Sequence, residues 1–330
     1  MSELAVFGLP DGRTLVGKGP FRHEAEPPSS GVAFYRNDFS LSAKEPWLVP
    51  SSIELLEGDT VSAPKRSVAW RSLEVAPFAG VFGEISGAIR KGAIEKTVPV
   101  VTEFGEMTET ALDSVLTFAN AVPLPLRIYG WSKGDEGFVG ASPELLFQLE
   151  RGKLQTMALA GTARVTERDA FAVDEKEIRE HEFVAQTLLS KLSDLGLTRR
   201  HDREIMELPG LVHFLSKIEV ELYRSEEVNE LIRRFHPTPA LGPLPRTEET
   251  MSQLVSWRER LGCPPQFGAP FGVSIDGVVE ILVAIRMLAW RGHEVQVPSG
   301  CGVIEESRLV NEWRELRLKR EAVKRVFGLE

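Results

Sequence analysis

Apolar residues alternate with polar or small residues in a dense block near the middle of the chain. Four segments follow this period of two, at 127–131, 137–141, 145–149 and 154–159. Because successive side chains of a strand point to opposite faces, the pattern predicts four consecutive antiparallel strands. The sequence Arg151-Gly152-Lys153 indicates a hairpin turn between the last two.

Apolar residues that recur every three to four positions predict helices elsewhere. These helices cover 75–96, 108–119, 174–195, 226–234, 248–261 and 310–326. The other predicted strands cover 97–101, 218–223, 272–275, 278–290 and 294–298. Before them, about seventy residues indicate short strands and turns, with an exposed loop at 24–31. Blocks of strands separated by helices predict an α+β fold, a layered sandwich of large antiparallel sheets flanked by helices.

The composition indicates a globular chain with a sizeable core, since 42% of its 330 residues are hydrophobic. A net charge of −9 and a pI near 5.4 argue against nucleic acid as a main partner. No run is long and apolar enough for a membrane span, and the first residues lack the pattern of a signal peptide. Cys263 and Cys301 are the two cysteines and have no metal-binding spacing, so we expect a reduced, cytoplasmic setting.

Two predicted helices each carry a pair of glutamates three residues apart. The pairs are Glu177 with Glu180 and Glu312 with Glu315, and each lies among basic residues. Side chains at i and i+3 share one helix face, so two facing helices could offer the oxygen ligands that Mg²⁺ prefers. Lys319 lies one turn after Glu315 and could hold an anionic ligand beside the metal. The pattern suggests a magnesium site.

Each acidic pair taken alone fits a simpler interpretation, a solvated helix start that interacts with the helix dipole. A di-iron bundle would need a Glu-x-x-His pattern, but Ile178 stands three residues before His181. Neither helix carries the His-Glu-x-x-His run of a zinc site. Magnesium is therefore the metal that the donor types favour, if the two helices face each other.

Three glycine-containing turns, at 160–163, 267–269 and 299–302, could expose backbone N–H groups to a carboxylate. A tight turn at a strand end is the commoner explanation of each. Arg286 is a stronger signal, because it follows the apolar run at 278–285, where a guanidinium needs an anionic partner. An edge strand with Arg286 facing water explains the same run equally well.

Seven short motifs occur in an order that resembles chorismate-using enzymes. They are GASPE (140–144), AGTAR (160–164), EHE (180–182), HPTPAL (236–241), AIR (284–286), GCGVI (300–304) and EWRE (312–315). The resemblance covers roughly 78–329 and is greatest to isochorismate synthases. It implies the chorismate-binding fold of aminodeoxychorismate synthase, with 1–75 as a divergent N-terminal part and 76–330 as the catalytic region of one compact domain.

The resemblance also implies metal ligands and substrate contacts. Glu180 and Glu315 would bind Mg²⁺ directly, and Glu177 and Glu312 would assist through water. Arg286, Lys319 and the backbone of the glycine turns would hold the carboxylates of the substrate, chorismate. The residues implied to bind the substrate are Gly161, Thr162, His213, Ala240, Leu241, Arg286, Gly300, Cys301, Gly302 and Lys319.

The resemblance makes Lys96 and Glu144 the catalytic residues. Lys96 matches the lysine with which isochorismate synthases activate water for attack at C2, and a base must be neutral. Glu144 must hold a proton to protonate the departing C4 hydroxyl, a state that burial and a negatively charged substrate favour. Without the resemblance, a lone lysine before a strand is more often exposed.

The subclass depends on position 96 and on 239–241. Anthranilate-forming relatives usually have Gln in place of Lys96, aminodeoxychorismate synthases often have a lysine within 239–241, and salicylate-forming relatives tend to have Thr near Leu241. This chain has Lys96 and no lysine at 239–241. The resemblance therefore implies water as the nucleophile. We also expect a monomer without an obligatory glutamine amidotransferase, whose isochorismate could feed menaquinone, siderophore or salicylate biosynthesis.

Departures from the family pattern keep other functions open. They are the sequence Gly-Pro-Leu-Pro-Arg at 242–246, a less acidic helix at 255–260, and Cys301 where alanine is typical. Cys301 should leave the backbone N–H groups of its turn usable, but the altered segments could reshape the pocket. Anthranilate, aminodeoxychorismate and salicylate synthases stay as alternatives. So does a chorismate-binding protein with little catalysis, although the presence of Lys96 and Glu144 favours an enzyme.

Overall fold

Antiparallel strands form most of the structure, a computed structural model that describes residues 3–58, 62–107 and 114–329. In chain order the strands are β1 (Glu3–Gly8), β2 (Thr14–Lys18), β3 (Arg22–Glu24), β4 (Val32–Arg36), β5 (Trp47–Val49), β6 (Ser52–Leu56), β7 (Val68–Trp70), β8 (Val100–Met107), β9 (Arg127–Lys133), β10 (Glu136–Ser142), β11 (Leu145–Glu150), β12 (Lys153–Arg164), β13 (Gly196–Arg200), β14 (Glu204–Leu208), β15 (Leu211–Leu222), β16 (Pro270–Ile275), β17 (Val278–Val283), β18 (Met287–Arg291) and β19 (Glu294–Gly300).

Helices connect the strands and cover the sheets. In the described part of the chain the α-helices are α1 (Ala76–Arg90), α2 (Arg168–Phe171), α3 (Glu175–Leu192), α4 (Val228–Phe235), α5 (Glu248–Arg260) and α6 (Leu309–Val326). Short 3₁₀ helices lie at Val115–Phe118 and Val165–Glu167. Helix α3 begins after Asp174, whose carboxylate accepts the backbone N–H of Glu177 at 3.1 Å and so satisfies one free donor of the first turn.

The strands form two large sheets. The first sheet has nine strands in the order β6-β2-β1-β9-β10-β18-β19-β8-β7. The second has ten, in the order β13-β15-β12-β11-β17-β16-β4-β5-β3, with β14 also paired to β15. Strands from the N-terminal part lie in both sheets, so this part and the rest of the chain build the same two layers.

A large apolar cluster fills the space between the sheets, and the alternation of side chains along each strand explains how it forms. On β1, Ala5 and Phe7 point into this cluster, while Leu4 and Val6 point to the opposite face. That outer face is covered partly by α6, and α3 packs on the second sheet. Helices α3 and α6, which carry the two acidic pairs, thus lie far apart in the sequence and pack on different sheets.

The predicted fold class is confirmed, and several element boundaries are corrected. The helix predicted at 75–96 ends at Arg90, and the strand predicted at 97–101 begins at Val100. Of the helix predicted at 108–119, residues 108–113 lie outside the described ranges, and the rest contains a single 3₁₀ turn. Strands β13 and β14 were not predicted, because their polar residues obscure the apolar alternation.

Two predicted strand arrangements are wrong for the same reason. The four strands from β9 to β12 are not consecutive neighbours, because the chain leaves the first sheet after β10 and enters the second at β11. The single strand predicted at 278–290 is two strands, β17 in the second sheet and β18 in the first. Apolar alternation predicts that a segment is extended but does not identify its pairing partner.

No helix within the described ranges is both long and apolar enough to span a membrane.

Candidate active site

A cavity of about 650 Å³, counted with its open mouth, lies where both sheets meet α3 and α6. Most of the predicted site residues contribute to its wall. They are Glu144, Gly161, Thr162, Glu180, His213, Ala240, Leu241, Arg286, Gly300, Gly302, Glu315 and Lys319. The cavity therefore collects residues that are up to 175 positions apart in the sequence, from Glu144 to Lys319.

Two chain crossings between the sheets position Glu144 and Arg286. Glu144 lies between β10 and β11, and Arg286 lies between β17 and β18. Hydrogen bonds join the crossings: the N–H of Val283 donates to the carbonyl of Glu144 at 3.0 Å, and the N–H of Ala141 donates to the carbonyl of Arg286 at 3.0 Å. Arg286 has a φ of 54°, a left-handed conformation that is rare for arginine. The paired crossings hold both residues at the cavity.

Glu144 is buried and favours its protonated form. Its side chain accepts a hydrogen bond from the Thr238 hydroxyl at 2.9 Å, and the residue is 3% exposed. Burial raises the pKa of Glu144 to about 7, against the opposing effects of the Thr238 hydrogen bond and the positive charge of Lys96. A carboxyl group that titrates near neutrality can serve as a general acid.

Arg286 contacts His213. This partner is neither of the two that the sequence suggested, an anionic group or water. Nη2 of Arg286 lies 2.8 Å from Nε2 of His213, and Nδ1 of His213 lies 2.7 Å from the carbonyl oxygen of Gly161. Burial lowers the pKa of Arg286 to about 10, an effect that Glu315 opposes. The guanidinium therefore stays charged at neutral pH and faces the cavity as a partner for a ligand anion.

A bulge in β12 shapes the first predicted glycine turn. The pairing of β12 with β15 shifts register between Ala160 and Ala163, and Gly161 has a φ of 76°. The bulge turns the N–H of Thr162 toward α3, where it donates to Glu177 Oε2 at 2.8 Å. This N–H is thus already bonded to the protein, in contrast to the prediction that it is a free donor for the substrate.

Helix α6 supports the glycine turn that follows β19. The ammonium group of Lys319 donates to the carbonyl of Gly300 at 2.9 Å and to Glu315 Oε1 at 2.5 Å. The next residue, Arg320, is buried and donates to the Ser299 hydroxyl at 2.8 Å. These contacts fix the turn against the helix and place the Lys319 charge at the cavity wall.

The acidic pairs of α3 and α6 do face each other, with Lys176 between them. The ammonium nitrogen of Lys176 lies 2.9 Å from Glu177 Oε1, 3.4 Å from Glu312 Oε1 and 3.7 Å from Glu180 Oε2. Lys176 was not among the predicted site residues, although its position four residues before Glu180 on a helix is the available signal. Glu177 and Glu312 line a second, adjoining cavity, which Glu315 also borders.

The charges of this cluster are only partly balanced. Burial raises the pKa of Glu177 and of Glu312, and the nearby Glu180 and Glu315 carboxylates raise them further. Burial alone would lower the pKa of Lys176, but the surrounding carboxylates outweigh it and raise that pKa. Neither carboxylate oxygen of Glu312 has a hydrogen-bond donor among the residues that the structure describes. The cluster therefore has capacity for further positive charge.

These residues fit a hard divalent cation by chemistry. The donors are carboxylate oxygens on two facing helices, the type of ligand that Mg²⁺ takes, and the buried oxygens of Glu312 have no hydrogen-bond donor in the described part of the chain. They do not form a ready-made cage, because within the described ranges no three His, Cys, Asp or Glu side chains enclose an ion position. The Lys176 ammonium group lies among the carboxylates that a cation would use.

Lys96 is fully buried beside this cluster rather than in the wall of the main cavity. Its ammonium nitrogen lies 3.2 Å from Glu180 Oε1. The backbone of Lys96 pairs with Leu244, whose N–H donates to the Lys96 carbonyl at 2.9 Å. The divergent segment at 242–246 thus holds the main chain of Lys96, which excludes the exposed position that a lone lysine would usually take.

Glycine is required at 302, because Glu180 packs against its α-carbon. A Cβ atom at this position would lie 2.0 Å from Glu180 Oε1 and 3.3 Å from Cε of Lys96. Gly302→Ala is expected to displace the Glu180 carboxylate and to lower turnover by about 10²-fold, as misplaced catalytic groups do. Steady-state kinetics at several Mg²⁺ concentrations would measure the loss of turnover.

Gly87→Ala in α1 is the matched control, because a Cβ atom there meets no atom within 4 Å. We expect normal turnover from this variant and a melting temperature close to wild type for both proteins. Normal kinetics of the Gly302→Ala protein would contradict the packing of Glu180 against position 302.

Cys301 is the predicted site residue whose placement differs most from expectation. It is fully buried and belongs to an apolar cluster with Val101, Val303 and Leu316. Its side chain therefore packs under α6 instead of lining the cavity, whereas its neighbours Gly300 and Gly302 do line it. Thr238, the partner of Glu144, was missed although it lies within the HPTPAL motif.

Comparisons with known proteins show sequence similarity to isochorismate synthases. The chain is 28% identical over 215 residues to the isochorismate synthase MenF of Haemophilus influenzae, a match covering 61% of this chain and 48% of that protein. It is 26% identical over 317 residues to the isochorismate synthase EntC of Escherichia coli, covering 92% of this chain and 77% of that protein. The chain spans about half the length of the first relative and about three quarters of the second.

The fold matches a solved structure over nearly the whole chain. MenF of Escherichia coli, described as a menaquinone-specific isochorismate synthase, superimposes with a TM-score of 0.83 at 16% identity, over 98% of this chain and 88% of that one. The sequence profile described as "Chorismate binding enzyme" matches residues 84–328, which include every predicted site residue. The chain therefore belongs to the chorismate-binding enzyme family.

Proposed function

We propose that this protein is an isochorismate synthase, which converts chorismate to isochorismate with Mg²⁺. The observation that carries the proposal is a buried carboxyl group of raised pKa, Glu144, in a cavity with cationic side chains, together with a fully buried lysine, Lys96, whose positive charge acts on Glu144. The reaction needs one base and one acid. The similarity to two isochorismate synthases supports the same reaction.

The cavity offers complementary charges to a substrate with two carboxylates. Arg286 and Lys319 lie in the cavity wall and would bind carboxylate groups. Leu241 and Ala240 add apolar surface to the wall, suited to a carbon ring. Binding would use charge at the edges of the ligand and apolar contact at its ring.

The proposed chemistry exchanges one hydroxyl group for another. To act as the base, the Lys96 ammonium group must first lose a proton and with it the ion pair to Glu180. The neutral amine then takes a proton from water as the water oxygen bonds to C2 of chorismate. The ring double bonds shift, the C4–O bond breaks, and Glu144 gives its proton to the departing hydroxyl, which leaves as water. One water molecule enters and one leaves, so the reaction is an isomerisation.

The carboxylates of Glu180 and Glu315 would hold Mg²⁺, with Glu177 and Glu312 in support. When bound, Mg²⁺ would neutralise a carboxylate of the substrate and fix its position. Lys176 would have to leave its position among these carboxylates, since its ammonium group contacts three of them. The long, unbranched side chain of lysine permits such a movement.

Product identification tests the proposal against its aminating alternatives. Purified protein is incubated with chorismate and Mg²⁺, with and without ammonium ions, and the products are identified by chromatography and NMR. We expect isochorismate in both reactions, because Lys96 would activate water rather than ammonia. An amino-substituted product would favour anthranilate or aminodeoxychorismate synthesis, salicylate with pyruvate would favour salicylate synthesis, and binding without turnover would favour a non-catalytic role.

A further inference from the structure

The contact between His213 and Arg286 defines the protonation of the histidine. Arginine has only hydrogen-bond donors, so Nε2 of His213 must be the acceptor of the 2.8 Å contact from Arg286 Nη2. The Gly161 carbonyl is only an acceptor, so Nδ1 must carry the proton in the 2.7 Å contact on the other side of the ring. Both ring nitrogens are therefore engaged by the protein.

This arrangement requires a neutral imidazole. A protonated His213 would direct an N–H group from Nε2 at the Arg286 guanidinium, where no acceptor exists. Burial lowers the pKa of His213 well below its usual value, and the charges of Arg286 and Lys319 lower it further, against the hydrogen bond to Gly161. His213 is 5% exposed, so water does not relieve this constraint.

We propose that His213 is a positioning residue that aims the Arg286 guanidinium at a ligand carboxylate and supplies neither a proton nor a hydrogen bond to the ligand. The role of Arg286 as a carboxylate contact rests on the proposed function. The backbone of Arg286 is held at a sheet crossing, and Nε2 of His213 supplies an acceptor for the far end of its side chain. The Gly161 bulge, in turn, holds the imidazole ring.

The first test measures the tautomer and does not depend on activity. The protein is labelled with ¹⁵N-histidine, and the His213 signals are identified by their loss in the His213→Gln variant. We expect a neutral ring with the proton on Nδ1 between pH 6 and 9. A proton on Nε2, or a charged ring in this range, would overturn the proposal, because Arg286 could then not donate to it.

The second test separates the two ring nitrogens by substitution. In His213→Gln the side-chain oxygen can reach the position of Nε2 and accept from Arg286, whereas in His213→Asn the shorter side chain replaces only the Nδ1 contact. A lost hydrogen bond to a charged group corresponds to on the order of 10- to 100-fold in binding. We therefore expect KM for chorismate to rise by that factor in the Asn variant and by less than about threefold in the Gln variant, with kcat little changed in both.

The double variant and a surface control complete the design. In an Arg286→Ala background, His213→Asn should cause no further rise in KM, since its effect passes through Arg286. His23→Gln, at an exposed histidine on β3, should behave as wild type. A large fall in kcat in both His213 variants would instead make His213 an acid or base and overturn the proposal.

The two proposals fail in different ways. If the wild-type protein neither binds nor converts chorismate, the proposed function is wrong, and the tautomer measurement still decides whether His213 accepts from Arg286. If wild type converts chorismate but the Asn and Gln variants have equal KM values, the function stands and the positioning role is wrong.

Discussion

Replacing Glu144 with glutamine, or Lys96 with alanine, is expected to lower kcat by on the order of 10²–10⁴, with a smaller effect on KM. Glutamine keeps the size of Glu144 and can accept from Thr238, but it has no proton to give to a leaving hydroxyl. Removal of Lys96 takes away the base and also the nearer of two ion-pair partners of Glu180, at 3.2 Å, while Lys176 remains at 3.7 Å. Single-turnover and steady-state kinetics with chorismate measure both effects.

Exposed residues of the same type provide the controls. Glu150→Gln changes a side chain that is 46% exposed at the end of the strand following Glu144, and Lys91→Ala changes an exposed lysine after α1. Both should retain wild-type kcat. The double variant of Lys96 and Glu144 should lose less activity than the product of the single losses, because the two residues act in one proton-transfer sequence. Near-normal kcat in either single variant would refute its catalytic role.

The pKa of Glu144 also sets the direction of the pH dependence. The general acid works only when protonated, so at saturating Mg²⁺ and chorismate kcat should fall as pH rises through and above the Glu144 pKa of about 7. The bound dianion would shift this fall to higher pH, since negative charge favours the protonated carboxyl group. The residual kcat of the Glu144→Gln variant should not decrease as the pH rises through this range.

Removal of divalent cations is expected to abolish turnover, and added Mg²⁺ to restore it. The carboxylates of Glu177, Glu180, Glu312 and Glu315 lie beside the cavity and would repel a substrate with two carboxylates of its own. Three lysines, Lys96, Lys176 and Lys319, contact these four carboxylates, and among the described residues the oxygens of Glu312 have no hydrogen-bond donor. Activity after EDTA treatment and dialysis, followed by Mg²⁺ titration, measures the requirement. Full activity in metal-free buffer would refute it.

Mg²⁺ affinity should strengthen as pH rises, opposite to the trend in kcat. The raised pKa values of Glu177 and Glu312 mean that protons compete with the metal at neutral pH, and this competition weakens as the pH increases. Glu315→Gln should weaken Mg²⁺ binding and turnover. Glu321→Gln, on the same helix with a side chain that is 49% exposed, is the matched control and should affect neither. Calorimetric titration at several pH values measures the affinity.

Local sequence was sufficient for most of the elements around the site. Apolar periods predicted both α3 and α6, the helix that presents Glu312, Glu315 and Lys319. The spacing of Glu315 and Lys319 placed both side chains on one face, as their 2.5 Å contact confirms. Contacts of this kind depend on helix geometry alone, so a single sequence determines them.

Contacts between elements required the tertiary structure. The sequence left Arg286 undecided between an anionic partner and solvent, but it lies at a crossing between sheets and contacts His213, 73 positions away. Lys96 is buried because Leu244 pairs with its backbone, and Lys176 lies between two helices whose approach no local pattern encodes.

By itself, the sequence determined which segments are helical or extended, which acidic residues share a helix face, and which motifs resemble a family. The structure decided where each strand pairs, which brings the crossings with Glu144 and Arg286 together through backbone hydrogen bonds. It also decided that Cys301 packs in a core and that both nitrogens of His213 are engaged by protein groups. The physical reason is that side-chain periodicity records burial and local geometry, whereas pairing and burial partners depend on chain segments that are distant in sequence.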